Sequence, residues 1–132
     1  MAFVLSVSPT YEWPVELSVP TDGGKRRKFN FRVVFNRLSQ SQNDDLMLAQ
    51  QELKSMAQSG IAGPVFETKF REVRGHAAEV LAGWVDVKAK DDDPEPLPVT
   101  RENMSKFLDF PGMATALVQA YAESIEDAKR GN

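Results

Sequence analysis

Few residues of this chain could do chemistry, and their spacing assigns them to other work. His76 is the only histidine and cysteine is absent. A nucleophile–histidine arrangement would rest on that one imidazole, and a zinc site would lack the Cys and His pairs it needs. His76 falls one position before Ala77 on an apolar helical stripe, so we read it as the flank of a core helix. No HExxH, nucleophile elbow, P-loop or GxGxxG occurs. Asp91-Asp92-Asp93-Pro94-Glu95 offers carboxylates to a hard cation. Consecutive aspartates closed by proline nevertheless lack the alternating ligand spacing and turn glycine of an EF-hand loop, which leaves a solvated acidic loop. Lys25-Arg26-Arg27-Lys28, beside Gly23-Gly24, could touch phosphates as a β-ribbon does, or could discourage unwanted strand pairing. The second reading is favoured, because four charges make few phosphate contacts and the chain carries a net charge of −3. The expectation is a protein that is not an enzyme, holds neither metal nor cofactor, and does not take nucleic acid as its partner.

Around those residues lies an ordinary globular composition, 42% hydrophobic and 27% charged. A chain of 132 residues can bury roughly two thirds of the surface its unfolded form exposes, enough for one core. The opening Met1-Ala2-Phe3-Val4-Leu5-Ser6-Val7 has no positive leader and is too short an apolar run for a signal peptide. No stretch approaches the ~18 to 20 apolar residues of a membrane span. Together with the absence of cysteine this points to the cytoplasm, with no membrane partner.

Two kinds of periodicity divide the chain. Tyr11, Trp13, Val15, Leu17 and Val19 alternate with Glu12, Pro14, Glu16 and Ser18, the pattern of a half-buried strand, with Pro14 placing it at a sheet edge. Past the turn residues Pro20-Thr21-Asp22-Gly23-Gly24, the positions Phe29, Phe31, Val33 and Phe35 alternate with Lys28, Asn30 and Arg32. The two read as a β-hairpin with one greasy face that needs a cover, from this chain or from a second copy. Val4 and Leu5 are candidates for a third strand.

Helical spacing takes over after the turn-like Ser39-Gln40-Ser41-Gln42-Asn43. Leu46, Ala49, Leu53 and Met56 share one helix face, with Asp44 and Asp45 expected in its first turn against the positive end of the dipole. Gly63-Pro64 opens a second helix whose stripe is Phe66, Phe70, Val73, Ala77, Leu81 and Trp84. Residues Lys88 to Pro98, with three prolines, form a loop that ends in a Pro-bounded strand. Thr100 then caps a short helix bearing Met104, Phe107 and Leu108, and Pro111-Gly112 breaks it. A last helix carries Met113, Ala116, Leu117, Ala120, Tyr121 and Ile125 on a wide face. These periodicities place Trp13, Phe29, Phe31, Phe35, Phe66, Phe70 and Trp84 on core faces. The predicted fold is α+β in a single domain, residues 1–132: a hairpin or small antiparallel sheet over about 11–36, packed on about four helices over about 41–130.

In that order the chain resembles the tail assembly chaperones of phages with long flexible tails. The resemblance is carried by Gly83-Trp84-Val85-Asp86-Val87, Pro96-Leu97-Pro98-Val99-Thr100-Arg101-Glu102-Asn103, Phe110-Pro111-Gly112-Met113, Ala120-Tyr121 and Gly131-Asn132. It departs from the family where a turn commonly holding Asp-Gly is Asp93-Pro94-Glu95 here. The resemblance implies a non-enzymatic protein that binds the tape measure protein, keeps it soluble, recruits tail tube subunits and leaves the finished tail. It also implies a longer form made by ribosomal frameshifting near the C-terminus. Work in the host cytoplasm, absence from the mature virion and self-association follow, since several copies must coat one long partner. The candidate partner surfaces are Trp13, Phe29 and Phe31 on the hairpin and Leu117 and Tyr121 on the last helix, with the basic tip Lys25, Arg26, Arg27 and Lys28 beside them. The competing expectations are a tail or connector subunit retained in the virion, and a nucleic-acid-binding regulator acting through the basic tip.

Overall fold

A computed structural model describes residues 1–126 of the chain. Strand β1 (Thr10–Thr21) and strand β2 (Lys25–Asn36) form the expected antiparallel hairpin around a turn at Asp22–Gly24. Gly23 and Gly24 have φ of 77° and 75°, a left-handed pair that only glycine adopts without strain. The register sets Tyr11 opposite Phe35, Trp13 opposite Val33, Val15 opposite Phe31 and Leu17 opposite Phe29, so these eight apolar residues share one face. The other face is charged: Arg32 meets Asp86 at 2.8 Å and Glu12 at 3.3 Å, and Lys28 meets Glu16 at 3.4 Å.

A third strand exists, but Val4 and Leu5 do not supply it. Strand β3 (Leu81–Trp84) pairs antiparallel with β2, giving the order β1-β2-β3, while residues 1–9 join no strand. The expected helical stripe therefore ends early: helix α2 (Pro64–Val80) stops at Val80, and Leu81 is already extended at φ −81°, ψ 117°. The spacing misled for a physical reason. Leu81 sits opposite Phe35, Gly83 opposite Val34 and Trp84 opposite Val33, with a register shift between Val34 and Phe35. That bulge lets residues three apart turn to the same core face, which imitates helical spacing. Both are buried, at 2% and 6% exposure.

Helix α1 (Gln40–Gln58) begins earlier than expected, because Ser39-Gln40-Ser41-Gln42 is a capping box and no loose turn. Gln42 N–H donates to Ser39 Oγ at 3.2 Å and Ser39 N–H donates to Gln42 Oε1 at 2.9 Å, so two orphan donors are satisfied at once. The first turn thus holds no acid, and Asp44 and Asp45 lie one turn further on. Helix α2 packs against α1, with Lys69 of α2 bridging to Glu52 of α1 at 3.3 Å. Its stripe is buried at Val73, Ala77 and Val80, whereas Phe66 and Phe70 are only half-buried.

Helix α3 (Arg101–Asp109) is capped by Thr100, whose hydroxyl accepts from Asn103 N–H at 3.1 Å. Residues Leu97–Val99, expected as a Pro-bounded strand, form no strand. Helix α4 (Met113–Glu126) follows Gly112 (φ 84°) and occupies the middle of the molecule, packed on β1 on one side and on α2 on the other. Two-sided packing explains why Ala114, Val118 and Ala122 are buried in addition to the expected face. The expected run of this helix to about residue 130 and the Gly131-Asn132 ending lie outside the described residues.

Candidate functional site

The sequence-predicted residues separate into two groups. Leu117 and Tyr121, expected on a partner surface, are 0% and 1% exposed and belong to the core. Tyr121 meets Phe35 edge to face with centroids 5.4 Å apart, and its hydroxyl donates to Asn43 Oδ1 while accepting Leu38 N–H at 3.4 Å. A tyrosine on an apolar stripe with both ends occupied inside the chain has nothing left for a partner, which corrects that expectation. Burial pushes its phenol above the ordinary tyrosine pKa.

The hairpin residues lie outward. Trp13 is half-buried, in edge contact with Tyr11 at 6.4 Å. Phe31 is half-buried against Phe107, and Phe29 is exposed to 38%, beyond the cover of the helices. Phe29 thus departs from its expected core place, because the hairpin arms run past the body of the molecule. At the tip all four cations are exposed, and three are engaged within the hairpin. Arg26 holds the Ser18 hydroxyl at 2.8 Å and the Ser18 carbonyl at 3.0 Å, Arg27 stacks 4.7 Å over the Phe29 ring, and Lys28 pairs with Glu16.

The two edges of the hairpin differ, and sequence reading missed how. Val85 N–H donates to the Arg32 carbonyl at 3.0 Å, so the backbone polar groups of Arg32 face β3. In an antiparallel ladder this direction alternates, so Asn30, Lys28 and Arg26 turn theirs the same way, past the end of β3. Their opposite residues, Glu16, Ser18 and Pro20, like Pro14 opposite Arg32, turn theirs outward along β1. Both prolines of β1 therefore fall at outward positions, and Arg26 covers the Ser18 carbonyl between them. The β1 edge is closed to an added strand. The β2 edge from Arg26 to Phe31 has no proline and, among the described residues, no strand beside it. The signal was present in the even spacing of Pro14 and Pro20, on the polar side of the alternation.

An open groove runs between β1 and α4, with Trp13, Pro14 and Glu16 on one wall and Thr115, Gln119 and Glu123 on the other. His76 lies 3.2 Å from Glu79 on the α2 flank, and Asp93 accepts Lys90 N–H at 3.1 Å within its own acidic loop. Among the described residues no group of three or more potential metal ligands comes together, and no helix is long and apolar enough to cross a membrane.

Comparison with known proteins decides the family. A family model for phage tail assembly chaperones matches residues 1–132, the whole chain. The chain belongs to the phage tail assembly chaperone family. No curated protein and no solved structure matches it. In this chaperone two of the segments that carry the resemblance, the one around Trp84 and the one from Leu97 to Asn103, meet each other. Trp84 stacks on Phe107 at 4.8 Å and bonds the Leu97 carbonyl, and Asn103 Nδ2 donates to the Pro98 carbonyl at 2.9 Å.

Proposed function

We propose that the chain is a non-enzymatic single-domain chaperone of phage tail assembly that binds the tape measure protein, keeps it soluble and helps recruit tail tube subunits. The observation that carries this reading is the match of the family to the whole chain. A long apolar helical partner would aggregate if left bare, and a holder needs exposed apolar surface of its own. Trp13, Phe29 and Phe31 supply part of that surface on the outward hairpin, with the basic tip giving it a charged rim. Individual contacts of this size are weak, so several self-associated copies share one partner and gain by avidity. The protein works in the host cytoplasm and is absent from the mature virion.

Coexpression tests the reading directly: the tape measure protein is expected in the soluble fraction with this chain and in the pellet without it. Equal solubility in both would overturn the holding role. Mass spectrometry of purified particles against infected lysate tests departure from the tail, and abundance in particles would favour a retained tail or connector subunit.

A further inference from the structure

We propose that residues 2–7 of one copy add as a strand to the open β2 edge, Arg26–Phe31, of a second copy. This rests on the self-association proposed above and names its surfaces. Residues 1–9 join no strand or helix, and Phe3, Val4, Leu5 and Val7 are 52 to 87% exposed. So contiguous a run of bare apolar side chains marks a contact surface. Its pattern is that of a strand: Phe3, Leu5 and Val7 alternate with Ala2, Val4 and Ser6, with no proline and no charged side chain.

The receiving edge complements it. Arg26, Lys28 and Asn30 turn their backbone donors and acceptors outward along a stretch as long as the segment. An added strand with Phe3, Leu5 and Val7 on the apolar face would lie beside the row of Phe29 and Phe31 and widen that face. Ala2, Val4 and Ser6 would then lie beside Lys28 and Asn30, where a lysine or arginine side chain would be unfavourable and the segment has none. The β1 edge cannot compete, because its prolines remove the outward donors at 14 and 20.

The segment cannot reach this edge in its own chain. Pro9 and Ser8 are held at the other end of the hairpin, where Arg37 N–H donates to the Pro9 carbonyl at 2.9 Å and Arg37 Nε donates to the Ser8 carbonyl at 2.7 Å. From Arg37 to Phe31 the strand runs about 20 Å at ~3.3 Å per residue. Covering that distance would consume about six of the segment's residues before pairing began. The contact is therefore between copies. The donating and receiving surfaces differ, so it is head to tail and closes a ring or extends a row.

Sedimentation velocity on the full chain tests this with two variants: Phe3→Asp with Leu5→Asp, which spoils the segment, and Lys28→Pro, which removes an outward N–H without touching the ladder to β1. The full chain is expected to self-associate in a concentration-dependent way, and each variant to do so at least ten-fold more weakly. Mixed together they should form a 1:1 dimer and stop there, because one keeps only a segment and the other only an edge. Glu16→Pro, at an outward position of β1, should leave assembly unchanged. If Lys28→Pro fails to melt cooperatively, Asn30→Pro takes its place, and the segment variant decides independently. A monomeric full chain, variants that assemble like it, a mixture that yields no dimer, or loss of assembly on Glu16→Pro alone would each overturn the proposal. A monomer that still keeps the tape measure protein soluble would overturn this contact and leave the chaperone reading standing.

Discussion

The indole Nε1 of Trp84 donates to the carbonyl oxygen of Leu97 at 2.7 Å. This bond joins the end of β3 to the far side of the acidic loop. Leu97 N–H returns a bond of 2.7 Å to the Val87 carbonyl, and Asn103 holds Pro98 from the next helix. Two of the stretches that carry the family resemblance thus form one clasp, with Val99 packed over Gly83, where an added Cβ would come within 3.3 Å of a Val99 methyl. In this chain they build the scaffold.

Trp84 is the test of that clasp. Trp84→Ala should cost about 3 to 5 kcal/mol, because it removes a buried ring stacked on Phe107 and opens a cavity. Trp84→Phe keeps most of the ring but strips the Leu97 carbonyl of its donor, and should cost about 1 to 3 kcal/mol. Urea denaturation of the two variants separates the terms. Equal stabilities for Phe and wild type would mean that the bond contributes nothing.

Much of this fold was legible because its periods are clean. The hairpin followed from alternation at Tyr11 to Val19, the start of α2 from Gly63-Pro64, and the cap at Thr100 from a hydroxyl placed before an apolar helical run. Two errors share one cause, that spacing reports which residues face the core and not which backbone carries them. A bulge made Leu81 and Trp84 look helical, and a helix buried on two sides made Tyr121 look available. The open β2 edge was illegible for a different reason. Side-chain alternation says nothing of backbone direction until one bond, here Val85 to Arg32, fixes its phase.

Tyr121→Phe should preserve packing against Phe35 yet leave Asn43 Oδ1 and Leu38 N–H without their shared hydroxyl. We expect a loss of about 1 to 3 kcal/mol at neutral pH. The pH dependence carries a second signature. Burial raises the pKa of Tyr121, and also of Tyr11, above the ordinary tyrosine value, so the folded state resists losing the proton. Their contribution is complete below the unfolded tyrosine pKa and is lost as pH rises through the folded one. Alkaline unfolding curves for Tyr121→Phe should be shallower than wild type. Identical slopes would show that this phenol does not govern the alkaline limb.

At the acid end the relevant group is Asp86. Arg32 grips its carboxylate at both oxygens, at 2.8 and 3.1 Å, and that hydrogen bonding holds its pKa below the usual carboxylate range. The contribution is therefore present above the unfolded carboxylate pKa and disappears as pH falls through the lower folded value. Asp86→Asn should flatten the acid limb of the stability curve, and its difference from wild type should shrink with added salt, because the pair is exposed. A variant difference that persists at acid pH, where both forms are uncharged, would assign the effect to shape and not to charge.

The last prediction separates holding a partner from holding the fold. Leu117 is fully buried, so Leu117→Ala should cost about 2 to 5 kcal/mol and lower solubilisation of the tape measure protein only in proportion to the fraction unfolded. Phe29 is exposed and touches Arg27 on the free part of the hairpin. Phe29→Ser should change stability by no more than ~0.5 kcal/mol while sharply reducing the soluble tape measure protein recovered on coexpression. Melting curves read beside soluble yield make the distinction. If Phe29→Ser protects the partner as well as wild type does, the apolar face of the hairpin is not where the chaperone grips it. The groove between Trp13 and Gln119 would then be the next surface to alter.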